Sequence, residues 1–155
     1  MYDIEKSDRN IELFILDIYI AILKIKHTSS CFLNVQDLLF DYRSWDSVIR
    51  EFEIIGEASK YLLKGAFLAK EYQEVVDFRN QITHEYFGID QNVVWAIIHK
   101  DLDTFEETII DLINSIECKL RKELIEAFKE DNRYLDFVIE SLEKLNDELS
   151  LSPDN

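Results

Sequence analysis

The sequence predicts an all-α protein: a bundle of four to five long antiparallel helices followed by a further C-terminal helix. Three observations indicate this fold class. The 155 residues contain only three glycines and one proline, so few positions force a helix to end. Apolar residues recur at three- and four-residue steps over long stretches, as on one face of a helix. No run of β-branched residues alternates with polar ones between turn residues, as a strand would require.

Two long helices are predicted in the first part of the chain. The first covers residues 4–26 and is apolar on two sides, so it is either central in the bundle or shared with a partner subunit. The second covers residues 35–63, begins after Asn34 as its N-cap and can bend near Arg43 and Ser44. The stripe on the first helix consists of Ile11, Phe14, Ile15, Ile18, Ile22 and Ile25.

A glycine lies in the middle of the second predicted helix. At this position Gly56 costs about 1 kcal/mol relative to alanine. That cost suggests that another backbone approaches the helix closely at Gly56. Glu57 follows directly, and its place beside such a contact makes it a candidate site residue.

The remaining helices follow from the same periodicity. A third helix is predicted over residues 69–87, a long fourth helix over 93–124 and a last amphipathic helix over 133–149. The length of the chain suits one domain, here residues 1–149. Residues 150–155 are predicted to form a disordered tail.

The formal charge of −15 limits the functions that the chain can have. Affinity for nucleic acid of any sequence comes mostly from basic groups that neutralise phosphates. Such an acidic chain is therefore not a general RNA-coating protein, although a nuclease with a local basic cleft remains compatible with it. We expect weak non-specific RNA binding that is sensitive to salt.

The cysteines and the apolar segments indicate a cytoplasmic protein. Cys31 and Cys118 are too few for a disulfide framework, which suits a reducing compartment. The N-terminus lacks the basic region and cleavage pattern of a secretion signal. No uncharged apolar run reaches the length of about 18 residues that a membrane helix needs, so we expect no membrane association.

Residues 79–86, Arg-Asn-Gln-Ile-Thr-His-Glu-Tyr, are the part of the chain best suited to chemistry. Arg79 carries a permanent charge and a planar fork of donors that matches a phosphate. His84 can take up and release a proton near neutral pH. Tyr86 adds a phenol two positions later. A phosphate-binding cation beside a proton carrier is the minimum required to cleave RNA without a metal.

The spacing alone does not bring these groups together. At about 100° per residue, Arg79, Thr83, Asn80 and His84 form one polar arc on a helix, with Arg79 and His84 at its opposite edges. The long arginine stem, a helix end near His84 or a second copy of the arc from another subunit could close this gap. We favour the second subunit acting together with the arginine stem.

Two metal sites can be set aside, and the sequence predicts neither a metal nor a cofactor. His84-Glu85 begins the His-Glu-x-x-His zinc pattern, but the fifth position is Gly88. A di-iron bundle site requires glutamate three positions before the histidine, where this chain has Gln81.

Three segments taken in order resemble one family. The chain is similar to the HEPN superfamily, and within it to the HepT branch, from about residue 11 to residue 120. The Arg-x4-His-x-Tyr pattern of this branch is intact as Arg79, His84 and Tyr86. The segments are Phe-Glu-Ile-Ile-Gly-Glu-Ala at 52–58, Phe-Arg-Asn through Gly-Ile-Asp at 78–90, and Trp-Ala-Ile-Ile followed by Asp-Leu at 95–102.

The resemblance implies a fold and an activity. It implies a helical bundle that forms a two-fold homodimer, with both motifs lining a shared cleft. It further implies a metal-independent endoribonuclease acting on tRNA or mRNA, with Arg79 and His84 as catalytic residues. Asn80, Thr83 and Glu57 are expected to support them.

The resemblance also implies a partner and a form of regulation. HepT proteins are the toxin halves of type VII toxin–antitoxin pairs, whose antitoxin is an MntA-like nucleotidyltransferase. That partner is expected to transfer AMP to Tyr86, which places negative charge and bulk beside Arg79. A second function remains open: a non-catalytic helical subunit that binds a nucleotidyltransferase or its substrate, a role that suits the acidic charge of the chain.

Overall fold

The computed structural model describes residues 10–85 and 88–150, with side chains up to Asp147. These residues form eight α-helices and no strand, which confirms the all-α class. A 3₁₀ turn at Lys70–Tyr72 precedes the fourth helix, and a π turn at Ile97–Asp101 joins the fifth to the sixth. The helices are α1 (Ile11–Ser29), α2 (Val35–Phe40), α3 (Tyr42–Lys64), α4 (Gln73–His84), α5 (Gln91–Ala96), α6 (Leu102–Asn114), α7 (Cys118–Asp131) and α8 (Asp136–Ser150).

Helix α1 is the centre of the bundle, which is one of the two positions that its two apolar faces allow. It packs most extensively against α3 and also contacts α6, α7 and α8. Leu16, Ile18 and Ile22 are completely buried. Lys26 forms ion pairs with Asp103 and Glu106 and so ties the end of α1 to the start of α6. None of the described helices combines the length and the apolar composition that a bilayer crossing requires.

The end of α1 differs from the prediction. The helix continues to Ser29, whereas the sequence predicts an end at Lys26. The hydroxyl of Ser29 donates to the carbonyl of Lys26, and that of Ser30 to the carbonyl of His27. These serines therefore satisfy carbonyls of the last turn instead of interrupting it. The predicted start at residue 4 lies outside the described residues.

The second predicted helix is divided at Asp41 into α2 and α3. Asp41 leaves the helical region with φ −88° and ψ 83°, and its carboxylate accepts a hydrogen bond from Ser44 Oγ at 2.9 Å. The break therefore lies close to the bend that the sequence allows near Arg43 and Ser44. Asn34 caps α2 as predicted, since its side chain accepts from the Asp37 amide.

The third predicted helix, over 69–87, is shorter in the structure. The 3₁₀ turn occupies its start, and α4 ends at His84 because Glu85 leaves the helical conformation, with φ −130° and ψ 41°. The amide of Gly88 then donates to the carbonyl of Glu85 at 2.8 Å, which closes a turn towards α5. His84 is consequently the last residue of its helix.

The single fourth helix predicted over 93–124 is wrong. Its residues belong to α5, the π turn, α6 and α7. The hydroxyl of Ser115 donates to the Leu112 carbonyl at 2.6 Å where α6 ends. The carboxylate of Glu117 accepts from the amides of Lys119 and Leu120, both at 2.9 Å, where α7 begins. The hydrogen bonds from these two amides hold the pKa of Glu117 below its usual range. Such capping ends one helix and starts the next although the apolar stripe continues.

A buried arginine completes this junction. Arg121 is only 3% exposed, and its Nη1 donates to the carbonyls of Asn114 and Ile116 at 3.1 and 2.9 Å. It thereby satisfies carbonyls at the end of α6 from a position on α7. Helix α8 then packs on α7 and α1 and includes Ser150, the first residue of the predicted tail. Residues 151–155 lie outside the described part of the chain.

Candidate active site

The motif helix α4 lies directly against α3, and a glycine makes this contact possible. A β-carbon placed on Gly56 would lie 2.1 Å from Cβ and 2.5 Å from Cγ of Arg79. The carbonyl of Val75 would be 3.4 Å away. No side chain fits in this space, so another helix does approach Gly56 closely, but the nearest atoms belong to a side chain and not to the backbone that the sequence predicts. The atoms that fill the space belong mainly to the stem of Arg79.

The guanidinium of Arg79 is positioned by two oxygen acceptors. Its Nη2 lies 3.3 Å from Oε2 of Glu57, and its Nη1 donates to Oδ1 of Asn80 at 3.2 Å. The side chain of Arg79 is 31% exposed and that of Glu57 29% exposed, so the ion pair lies at the edge of solvent. The Nε of Arg79 is buried and has no hydrogen-bond partner among the described residues. The group is held in one orientation while part of it remains accessible.

His84 and Thr83 lie further along α4. His84 is exposed and is about one and a half turns from Arg79, so one chain does not bring the imidazole to the guanidinium. Thr83 is exposed, and its hydroxyl donates to the carbonyl of Arg79 at 3.0 Å, within its own helix. The structure therefore joins Glu57, Arg79 and Asn80 directly. Tyr86, the expected modification site, lies outside the described residues.

A separate open groove lies between α3 and α4. Its volume is 270 Å³, and it is lined by Lys60, Leu63 and Lys64 of α3 and by Gln73 and Val76 of α4. Lys60 and Lys64 lie outside the motif from which the site residues are predicted. A signal was nevertheless present, because positions 57, 60 and 64 follow one another at three- and four-residue spacing on one helix face.

The other histidines of the chain have packing contacts. His27 stacks on Phe137 with ring centroids 3.8 Å apart, and this contact joins α1 to α8. His99 lies on the ring of Trp95, and its Nδ1 is 2.9 Å from the Trp95 carbonyl. Across residues 10–85 and 88–150, no group of three or more His, Cys, Asp or Glu side chains is arranged to hold a metal ion.

Parts of the chain are similar in sequence to known proteins. The chain is 38% identical over 66 residues to a candidate RNase of Methanocaldococcus jannaschii; this alignment covers 41% of the chain and 61% of that relative. It is 34% identical over 74 residues to a probable ribonuclease HepT of Thermococcus cleftensis, covering 46% of the chain and 67% of the relative. A candidate RNase of Caldanaerobacter subterraneus subsp. tengcongensis is 29% identical over 85 residues, or 52% of the chain and 75% of that protein.

No solved structure shows significant similarity to the chain. The family model described as Ribonuclease HepT-like matches residues 21–112. That match covers more than half of the chain and includes Gly56, Glu57, Arg79 and His84, whereas α7 and α8 follow it. The chain belongs to the HepT-like ribonuclease family.

Proposed function

We propose that this protein is a metal-independent endoribonuclease toxin that cleaves tRNA or mRNA with Arg79 and His84. The observation that carries the proposal is the placement of Arg79. Its stem lies against Gly56, and Glu57 and Asn80 orient its guanidinium at the edge of solvent. The family match supports an RNase-type activity, and the intact Arg-x4-His-x-Tyr pattern supports these residues as its site.

Arg79 is suited to bind the phosphate that is cleaved. When the ribose 2′-oxygen attacks phosphorus, the phosphate gains negative charge before the bond from phosphorus to the 5′-oxygen breaks. A guanidinium oriented in advance stabilises this charge without having to reorganise. Glu57 contacts Nη2 and Asn80 contacts Nη1, and each of these nitrogens carries a second N–H that would bind the phosphate.

His84 is suited to transfer a proton. The 2′-hydroxyl must lose a proton and the leaving 5′-oxygen must gain one. The exposed imidazole serves one of these transfers, and solvent at the open face of α4 serves the other. The proton balance is then complete with groups of the protein and water alone.

We place the two groups of one site on two subunits of a homodimer. Arg79 and His84 are about 140° apart around α4, so the imidazole of a second copy would complete the site more readily than that of the same chain. Exposed apolar side chains support such an interface. Phe40 of α2 and Val93 of α5 are 84% and 46% exposed, and these two helices contact one another. Exposed apolar side chains on neighbouring helices favour association.

A cognate MntA-like nucleotidyltransferase would act as the antitoxin in the cytoplasm by transferring AMP to Tyr86. The support is chemical: Tyr86 follows His84 by two positions, and each added phosphate would compete with RNA for Arg79. After co-expression with that partner, we expect the intact mass to increase by multiples of an AMP group. The increase should be absent in Tyr86→Phe, and an unmodified wild-type mass would contradict this regulation.

The nuclease activity can be tested with purified protein on tRNA and mRNA in the presence of EDTA. We expect Arg79→Ala and His84→Ala to reduce cleavage by about 100-fold or more, with unchanged circular dichroism spectra. His99→Ala is the matched control, because His99 is also exposed but packs on Trp95. Equal cleavage by the His84→Ala and wild-type proteins would refute the assignment.

The alternative function is a non-catalytic helical subunit that binds a nucleotidyltransferase or its substrate. The charge of −15 favours it, since an acidic surface repels RNA. In that case wild-type protein would bind the nucleotidyltransferase but cleave no RNA, and the assay above separates the two functions.

A further inference from the structure

Two rows of side chains face one another along the groove between α3 and α4. The row on α3 contains Lys64, Lys60 and Glu57, which follow one another at helical spacing. The row on α4 contains Gln73, Val76 and Asn80. Lys60 and Lys64 line the groove together with Gln73 and Val76, and Glu57 and Asn80 hold Arg79 where the rows continue. Lys60 is about one turn beyond Glu57 along α3, so the groove lies beside the position of the proposed scissile phosphate.

The charge along this groove is unusual for so acidic a chain. Neither Lys60 nor Lys64 forms an ion pair with any residue in the described ranges, and the Nζ of Lys60 lies 5.8 Å from the ring centroid of Tyr61. Glu57, the carboxylate of the α3 row, is already paired with Arg79. In the opposite direction along α3 the next position of the row is Glu53. A polyanion held at Arg79 is therefore attracted towards the lysines and repelled from Glu53.

The spacing along α3 matches a nucleic-acid backbone. Gly56 contacts the stem of Arg79 and therefore serves as the reference point along α3. At 1.5 Å per residue, Lys60 lies about 6 Å and Lys64 about 12 Å further along the helix axis. The intervals are regular and comparable with those between consecutive phosphates of an extended strand. A basic groove that follows the backbone is the usual way to hold single-stranded RNA without reading its sequence.

We propose that Lys60 and Lys64 form a subsite that binds the backbone phosphates flanking the cleaved one. The proposal rests on the ribonuclease function proposed above and names its substrate class: single-stranded RNA that extends beyond the cleaved bond on one side. The two lysines are positioning residues, since they contact phosphates that do not react.

Binding can be measured separately from cleavage by using His84→Ala protein and a fluorescent single-stranded pentanucleotide RNA. Fluorescence anisotropy at a series of salt concentrations gives the association constant for the RNA. The slope of its logarithm against the logarithm of the salt concentration reports the number of phosphate contacts. We expect Lys60→Gln/Lys64→Gln to weaken binding about tenfold at low salt and to make this slope shallower by about 1.4, which corresponds to two phosphate contacts on a single strand.

A matched control is available on α7. Lys119 and Lys122 are both exposed, and Lys119→Gln/Lys122→Gln removes the same two charges from a chain of formal charge −15. We expect this variant to keep the slope of the parent protein, because its lysines lie outside the groove. If both double variants lower the slope equally, the effect is one of net charge and the subsite is overturned.

Cleavage provides a second measurement. Wild-type protein should cleave the pentanucleotide with a higher kcat/KM than a dinucleotide. In Lys60→Gln/Lys64→Gln the ratio of these two kcat/KM values should be about tenfold smaller, mainly because KM for the pentanucleotide rises. A retained preference would overturn the subsite while leaving the nuclease function intact. If the wild-type protein cleaves no RNA but the lysine variant shows the predicted change in the salt dependence of binding, the ribonuclease function is contradicted and the subsite is supported. If the His84→Ala protein binds no RNA, the subsite is overturned as well.

Discussion

Gly56 and Arg79 are in contact such that a β-carbon on the glycine would lie 2.1 Å from Cβ of the arginine. This contact sets the distance between α3 and α4 and the position of the guanidinium relative to the carboxylate of Glu57. It also shows why a residue that weakens a helix occupies the middle of α3. The stem of Arg79 fills the space that a side chain at position 56 would need.

Gly56→Ala should separate these helices and reduce RNA cleavage by at least tenfold. Alanine favours the helix by about 1 kcal/mol, but overlap in a packed contact costs about 1–3 kcal/mol, so stability should be unchanged or lower. Urea unfolding and cleavage of tRNA measure the two effects. Gly88→Ala is the control, because its β-carbon would lie 3.9 Å from Cβ of Glu85, the nearest side-chain atom among the described residues. A fully active Gly56→Ala protein would contradict the role of this contact.

Glu57 is paired with Arg79, and in the proposed mechanism it both orients the guanidinium and competes with the phosphate for it. Glu57→Gln keeps an acceptor oxygen but removes the competing charge, so KM for RNA should decrease about two- to fivefold. Glu57→Ala also removes the acceptor, and kcat should then decrease about tenfold because the guanidinium loses its orientation. Steady-state kinetics of the two variants separate these effects. An unchanged kcat in Glu57→Ala would show that Asn80 alone positions Arg79.

Arg121 should be important for stability and not for chemistry. Because it satisfies the carbonyls of Asn114 and Ile116 from a buried position, Arg121→Ala should lower the free energy of unfolding by about 2–4 kcal/mol. Its exposed neighbour provides the control, since Lys122→Ala should change the free energy by no more than about 0.5 kcal/mol. Urea denaturation of the two variants is the measurement. Equal midpoints would show that the junction between α6 and α7 does not depend on this cap.

Glu51 predicts a dependence of stability on pH. Burial raises the pKa of this carboxyl above its usual value of 4.5, and Lys24 and Arg50 oppose the shift only in part. An acid whose pKa is higher in the folded state destabilises the protein above that pKa, and the penalty disappears as the pH falls below the unfolded value. Glu51→Gln should therefore raise the unfolding midpoint at pH 7 but not at pH 4. Glu123→Gln, at an exposed position, is the control. A gain of equal size at both pH values would contradict this account.

Much of the fold could be predicted because it follows from periodicity. The long apolar stripes indicate an all-α bundle, and the two apolar faces of α1 indicate either a central place or a surface shared with a partner subunit. The junction between α6 and α7 could not be found in this way, since apolar residues continue at helical spacing from Leu112 to Ile116. Its signals are the hydrogen bonds of Ser115 and Glu117, which side-chain capping provides and hydrophobic periodicity does not record.

The candidate site could be predicted only in part. The spacing of Arg79, Asn80 and His84 along one helix is visible in the sequence, as is the unexpected glycine on α3. The ion pair between Glu57 and Arg79 depends on the axial register of α3 against α4. That register is set by contact between residues far apart in the chain, so no local pattern encodes it. The groove beside Lys60 depends on the same register.

Mixing of inactive subunits tests the central claim most directly. Arg79→Ala and His84→Ala proteins should each be inactive, yet a mixture of exchanged subunits should regain about a quarter of wild-type RNA cleavage. This value follows because half of the randomly formed dimers are mixed and one of the two sites in each is complete. If native mass spectrometry shows mixed dimers and cleavage remains at the level of the parent variants, a guanidinium and an imidazole from two subunits do not act on one phosphodiester.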